Sequence, residues 1–276
     1  MFGRKASLLL ITPALTMMAV LFLFPLASSL ASAFWQDAEA RWGMGNFWRA
    51  WQFYSADILF SLVIVVLATA LVAVLAVAIA GYLTLGESRL FVALLGWLYR
   101  WPLFIPFVVA AQLMRTFLAK NGMMNTALVE LGLLTPFTTQ SFLDWRGIVI
   151  TFVWKQTPFV ALLLAGAMAA LDRATIEAAR NLGAKRLRLL LDVVVPQVMP
   201  SLASGLILSF VTMMSVLSVP MMINAENPTM LTVDMAWRIN AYGDYGMANA
   251  LGLIAYAMTG LVAWGYLRQG LKEKSA

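Results

Sequence analysis

The chain has 276 residues, 62% of them hydrophobic and only 12% charged, with a formal net charge of +6 and a mean hydropathy of +0.84. Soluble domains carry ~45–50% apolar residues, so the composition excludes one and points to a polytopic membrane protein. With no Cys and no His, disulfides and thiolate metal sites are excluded and the commonest acid–base side chain is missing, so no catalytic residue and no metal ligand is assigned.

Six apolar stretches are long enough to cross a hydrocarbon core of ~30 Å: about 7–33, 58–83, 91–118, 147–171, 197–222 and 247–267. The first follows Arg4 and Lys5 as a signal peptide would. Pro13 and Pro25 interrupt it without a small-residue cleavage pattern, so it reads as a retained span. Residues 34–57 hold Trp35, Trp42, Trp48, Trp51 and Tyr54, which predict a short lateral helix at the outer interface, where indole and phenol rings settle. Residues 119–146 predict an outer loop with a short helix near 123–132. Residues 223–246, with Asn227-Pro228 and Gly243-Asp244, predict a second outer loop.

Basic residues set the orientation. Arg4, Lys5, Arg89, Arg173, Arg180, Lys185, Arg186, Arg188, Arg268, Lys272 and Lys274 fall on the side of the N-terminus, with Arg100 nearby. The other side receives Arg41, Arg49, Lys120, Arg146 and Arg238 among Asp37, Glu39, Glu226, Asp234 and Asp244. The expectation is an all-α, six-span membrane protein with both termini cytoplasmic, in one domain over residues 1–276. The basic residues orient the chain in the lipid bilayer, and no nucleic-acid partner is expected.

The loop of residues 172–195 is the most informative segment. Asp172 is placed to cap a helix carrying Glu177, with Arg173 and Arg180 at pairing distance from it along the helix. Gly183 suits the position that ends it. A second helical stretch, Lys185 to Val195, carries three basic residues and then apolar ones before Pro196. The small methyl groups of Ala178 and Ala179 let another protein's backbone approach closely, while Glu177 and Arg180 fix its orientation. An amphipathic helix resting on lipid headgroups is the plainer reading of the same residues.

Here the sequence resembles the EAA loop of inner-membrane permease subunits in binding-protein-dependent ATP-binding-cassette importers. Glu177-Ala178-Ala179 is followed after three residues by Gly183, and Val193-Val194-Val195-Pro196 stands where that motif has Ile-x-Leu-Pro. The similarity extends to Trp154–Phe159 and to Gly243–Leu251. It implies that Glu177, Ala178, Ala179, Arg180, Gly183 and Ala184 couple the chain to a cytoplasmic ATPase dimer, which binds ATP and Mg. It further implies a second permease subunit, identical or not, a periplasmic or extracellular solute-binding protein, and a bacterial inner (cytoplasmic) membrane location. The sequence has no G-x-x-x-x-G-K-[ST] loop for a cofactor of its own.

Apart from Arg100, already counted with the basic side, Arg115 and Lys155 are the charged residues within the spans, and no Asp or Glu falls between the assigned span limits. Charge inside a membrane marks function by default. Arg115 can also snorkel to the outer interface. Lys155, beside Gln156 and Pro158, is assigned to the solute pathway or to subunit pairing. Ser209, Thr212 and Ser215 share part of one helix face and join the pathway set. Ser201, Gly205 and Ser209 form a small-residue ladder that suits close helix packing. Met213, Met214, Met221 and Met222 suit either an adaptable passage or core filling.

The absence of span carboxylates disfavours a cationic solute and favours an anion or a neutral polyol. The residues around Gly183 nevertheless resemble the polyamine, iron, thiamine and phosphonate branch, and those around Trp154 the sugar branch. An ion-gradient-driven secondary transporter is the alternative class, and it would show inverted repeats and intramembrane carboxylates.

Overall fold

Prolines decide where the long apolar stretches run straight and where they break. The structure, a computed structural model, describes residues 4–36, 41–224 and 226–273. Asp37, Glu39 and Lys274 from the charge balance lie outside the described residues. The first span is α1 (Arg4–Met18) and α2 (Phe24–Phe34), joined by a π-helical turn over Ala19–Leu23 just ahead of Pro25. A proline has no N–H and its ring clashes with the carbonyl four residues back; a locally widened helix absorbs both defects.

A two-residue antiparallel ladder follows, β1 (Trp35–Gln36) with β2 (Arg41–Trp42), in which the Trp35 and Trp42 rings meet edge-on at 5.5 Å. The chain then enters α3 (Gly45–Leu85), 41 residues long. This corrects the lateral helix expected over 34–57: Trp48, Trp51 and Tyr54 lie on the opening turns of α3 itself. No proline intervenes, and Asn46 anchors the start by donating from Nδ2 to the carbonyls of Ala33 at 3.1 Å and Trp35 at 2.8 Å. At ~1.5 Å per residue, α3 is about twice as long as a hydrocarbon core is thick, so its first turns stand clear of the lipid.

The third span is not one helix. α4 (Arg89–Leu98) passes into a 3₁₀ turn, Trp101–Phe104, and α5 (Phe107–Leu118) departs from that line at 109°. Pro102 and Pro106 bracket the break, and Pro106 forces the residue before it out of the helical region. The short helix expected near 123–132 is α6 (Met123–Glu130).

α7 (Trp145–Ala169) is the central span, packed against α3 and against α10 (Val195–Ser215). Between them lie α8 (Arg173–Asn181), α9 (Arg186–Arg188) and a second π-helical turn, Leu189–Val194, again just ahead of a proline, Pro196. The helix therefore does not stop at Pro196 but runs unbroken from Arg186 to Ser215.

The second outer loop is more than a loop. It contains the end of α11 (Ser218–Ile223) and the helix α12 (Leu231–Asn240) before α13 (Tyr245–Glu273) begins. Leu231, Val233 and Asp234 of α12 are buried, and its opening is docked on α3. The N–H of Leu231 donates to Ser61 Oγ at 2.9 Å and that of Thr229 to Asp57 Oδ1 at 2.7 Å. A buried carboxylate, Asp57, thus lies inside α3, contrary to the expectation of spans free of acidic groups; it sits one residue before the limit set by the apolar run.

Five of the described helices are long and apolar enough to cross a membrane, and the bent pair makes a sixth if taken as one span. Their core is split in two. One apolar cluster gathers Ile64, Phe152, Met213 and Leu251, and the other gathers Val72, Leu164 and Val198. Along α7, Lys155, Gln156 and Thr157 fall between them, all buried, and buried Ser209 of α10 joins the same level.

Candidate functional site

This polar belt is where most of the expected pathway residues converge. Lys155 Nζ donates to the carbonyl of Pro102 and, at 3.5 Å, to that of Leu103, and stands 5.2 Å from the centre of the Phe107 ring. Gln156 Oε1 accepts from Ser209 Oγ at 3.5 Å, while its Nε2 and the hydroxyl of Thr157 are buried without a partner among the described residues. A cavity of about 330 Å³ opens here, lined by Leu103, Phe107, Lys155, Gln156, Phe159, Leu208 and Thr212. Unsatisfied buried amides cost stability, so a donor left free beside a cavity is available to a ligand.

Two expected residues behave differently. Thr212 faces the cavity but bonds back to Leu208 O at 2.7 Å. Ser215 is exposed at the end of α10, donating to Thr212 O at 2.9 Å, and does not join the cavity. The small-residue ladder does its packing work at Gly205, where a Cβ would meet Val160 and Leu163 side chains at 3.4 Å. Met213 and Met214 fill the core, whereas Met221 is exposed. Arg115 is exposed in the last turn of α5.

The loop has the expected helix–glycine–helix shape. Asp172 caps α8 by accepting from the Ala174 N–H at 2.9 Å. Gly183 adopts φ +82°, and the ending bonds run from Gly183 N to Arg180 O and from Ala184 N to Ala179 O, at 2.9 and 3.1 Å. That pair of bonds is the glycine-terminated motif, whose left-handed residue a Cβ would strain. The expected pairs of Glu177 with Arg173 and Arg180 do not form among the described residues: Glu177 and Ala178 are exposed, and Ala179 is half-buried. In water such pairs gain little over solvated charges, which leaves Glu177 free to meet another group. Beyond the glycine, Arg186 pairs with Glu87 and Leu190 covers Gly81 of α3, fastening the loop to the spans.

The acidic cluster at the opposite end was missed. Thr229 Oγ1 donates to Asp234 Oδ1 at 2.8 Å, and Arg238 reaches Tyr54 Oη at 2.6 Å and Asp244 at 3.6 Å. A signal was present in Asp57 and Ser61, four residues apart on one face, but the backbone N–H groups they hold, of Thr229 and Leu231, lie about 170 positions away.

A bundle of broken and unbroken spans with an exposed helical loop on its basic face is the architecture of a transport permease. Residues 6–265 match the family of binding-protein-dependent transport system inner membrane components, and the chain belongs to it. It is the multi-pass inner-membrane permease component of an ABC importer, not a catalytic subunit. The sulfoquinovosyl glycerol transport permease of Agrobacterium fabrum is 23% identical over 96% of this chain and 90% of that one. The spermidine/putrescine permease of Haemophilus influenzae is 27% identical over 51% of this chain and 49% of its own length. The fold matches a bacterial alginate ABC transporter, crystallised with its oligosaccharide-bound periplasmic protein, with a TM-score of 0.78 at 19% identity, covering 93% of this chain and 91% of that one.

Proposed function

We propose that this single permease unit forms half of a pathway for a neutral or anionic sugar- or polyol-like solute. The observation that carries the reading is the lining of the mid-bundle cavity: an ammonium, a free amide, a hydroxyl and the rings of Phe107 and Phe159, with no carboxylate. Amides and hydroxyls match a polyol's own hydroxyls, aromatic faces match sugar C–H surfaces, and a lysine repels a polyamine. The full-length similarity to a permease for a sulfonated sugar glycoside agrees with this, whereas the polyamine permease matches over half the chain.

Glu177, Ala178, Ala179, Arg180, Gly183 and Ala184 then seat in an ATPase dimer on the cytoplasmic side, a second permease closes the pathway, and a binding protein delivers the solute. The test is to measure which solute the associated binding protein retains and the assembled transporter takes up. A neutral or acidic glycoside is expected, and a polyamine overturns the assignment. Glu177→Lys should abolish solute-stimulated ATP hydrolysis with membrane insertion intact; unchanged stimulation overturns the coupling role.

A further inference from the structure

A second cavity, of about 840 Å³, lies on the basic face between the end of α3, α4, the end of α7 and α8. Arg100, Arg173 and Arg180 line it together with one carboxylate, Glu177. None of the three arginines has a carboxylate partner among the described residues. Arg100 leans on Tyr99, donating from Nε to Oη at 3.2 Å with its guanidinium 5.4 Å from the ring centre, which fixes its place without neutralising it. The remaining walls are apolar, with Leu83, Leu162 and Met168 among them.

Three features narrow the occupant. The cavity has an excess of two positive charges, one of which a phosphodiester would neutralise. α3 ends at Leu85 and α7 at Ala169, so the cavity lies where spans leave the bilayer. Trp97 and Trp101, both exposed on the adjoining stretch, are rings of the kind that mark an interface. We infer that this cavity holds an anionic phospholipid. Its phosphate is taken by Arg100 and Arg173, which stand outside the coupling set, and its acyl chains run along the apolar walls. Because α8 supplies one wall, a bound lipid ties the loop helix to the ends of α3 and α7. Nothing in this depends on which solute is carried.

The assembled transporter, released from detergent in native mass spectrometry after incubation with phosphatidylglycerol or phosphatidylcholine, tests it. Wild type should retain phosphatidylglycerol in preference, and Arg100→Gln with Arg173→Gln should lower that retention about tenfold or more. A Cβ at Gly166, which lines the cavity, meets nothing within 4 Å. Gly166→Leu therefore fills the space while keeping every arginine, and should lower retention as well. Lys185→Gln with Arg188→Gln removes the same charge from the same face outside the cavity and should leave retention at the wild-type level. No lipid preference in wild type, an equal loss in the Lys185/Arg188 control, unchanged retention in Gly166→Leu, or complete displacement of the lipid by inorganic phosphate would each overturn the assignment.

Discussion

Lys155 reaches from the middle of α7 to the carbonyl oxygen of Pro102, 53 residues earlier in the chain, and so latches the bend of the broken span. In a continuous α-helix that carbonyl would accept from the N–H four residues on, which is Pro106 and has none. The lysine replaces the missing donor. A charge-assisted bond of this kind contributes about 1.5–3 kcal/mol. Lys155→Met should insert normally, lower the melting temperature of the detergent-solubilised protein by roughly 5 °C, and reduce uptake. An unchanged melting temperature would show that the bend holds without the latch.

Gly183 separates two kinds of cost. Its φ of +82° is strained for any side chain, yet a Cβ there meets nothing within 4 Å, so only backbone strain opposes substitution. Asn tolerates this region and a β-branched residue does not. Gly183→Val is expected to lose most solute-stimulated ATP hydrolysis in the reconstituted transporter, and Gly183→Asn to keep most of it. Equal activity in the two would mean that the loop does not need its glycine turn.

Sequence periodicity and flanking charge were enough to read the helix–glycine–helix loop and most of the spans, because caps, left-handed glycines and apolar runs are local signals. Asp172, Gly183 and α6 fall where they are expected. What escaped was non-local. Nothing near Trp48 says whether its helix lies along the membrane or continues into α3; Asn46 decides it through the carbonyls of Ala33 and Trp35. The break after Phe104 was hidden because Pro102 and Pro106 sit in an apolar stretch of span length, and the lysine that makes the break tolerable is on another helix. Four of the residues proposed for the pathway, Lys155, Gln156, Ser209 and Thr212, were singled out by polarity alone, and the fold brings them together at the belt and its cavity. Ser215 shared their spacing but is the last residue of α10 and exposed, a boundary that hydropathy does not reveal.

On α12, outside the membrane-spanning segments, burial pushes the Asp234 carboxyl up to about 7, with the charge of Asp57 on α3 adding to the rise and the Thr229 hydrogen bond and Arg238 opposing it. The folded protein thus holds a proton that the unfolded chain, with an ordinary value of 3.8, has released. This contribution to stability is complete below about pH 4 and disappears as pH rises through about 7. Melting temperature should therefore fall between about pH 4 and 7 and level off above that. Asp234→Asn, which stays neutral and can still accept from Thr229, should flatten that decline. A slope unchanged in the variant would assign the pH dependence to another group.

Gln156 offers a test in which stability and transport move in opposite directions. Its Nε2 is buried without a partner among the described residues, beside a cavity and between two apolar clusters. An unmet buried donor costs about 1–3 kcal/mol, a penalty that an apolar residue of similar shape removes. If the amide is kept for a solute's hydroxyl, Gln156→Leu should raise the melting temperature of the solute-free protein by a few degrees and at the same time slow uptake severalfold. The paired measurement discriminates because a residue that merely filled the core would lose stability and transport together, and one with no part in the pathway would gain stability at full transport. Either of those results would remove Gln156 from the pathway.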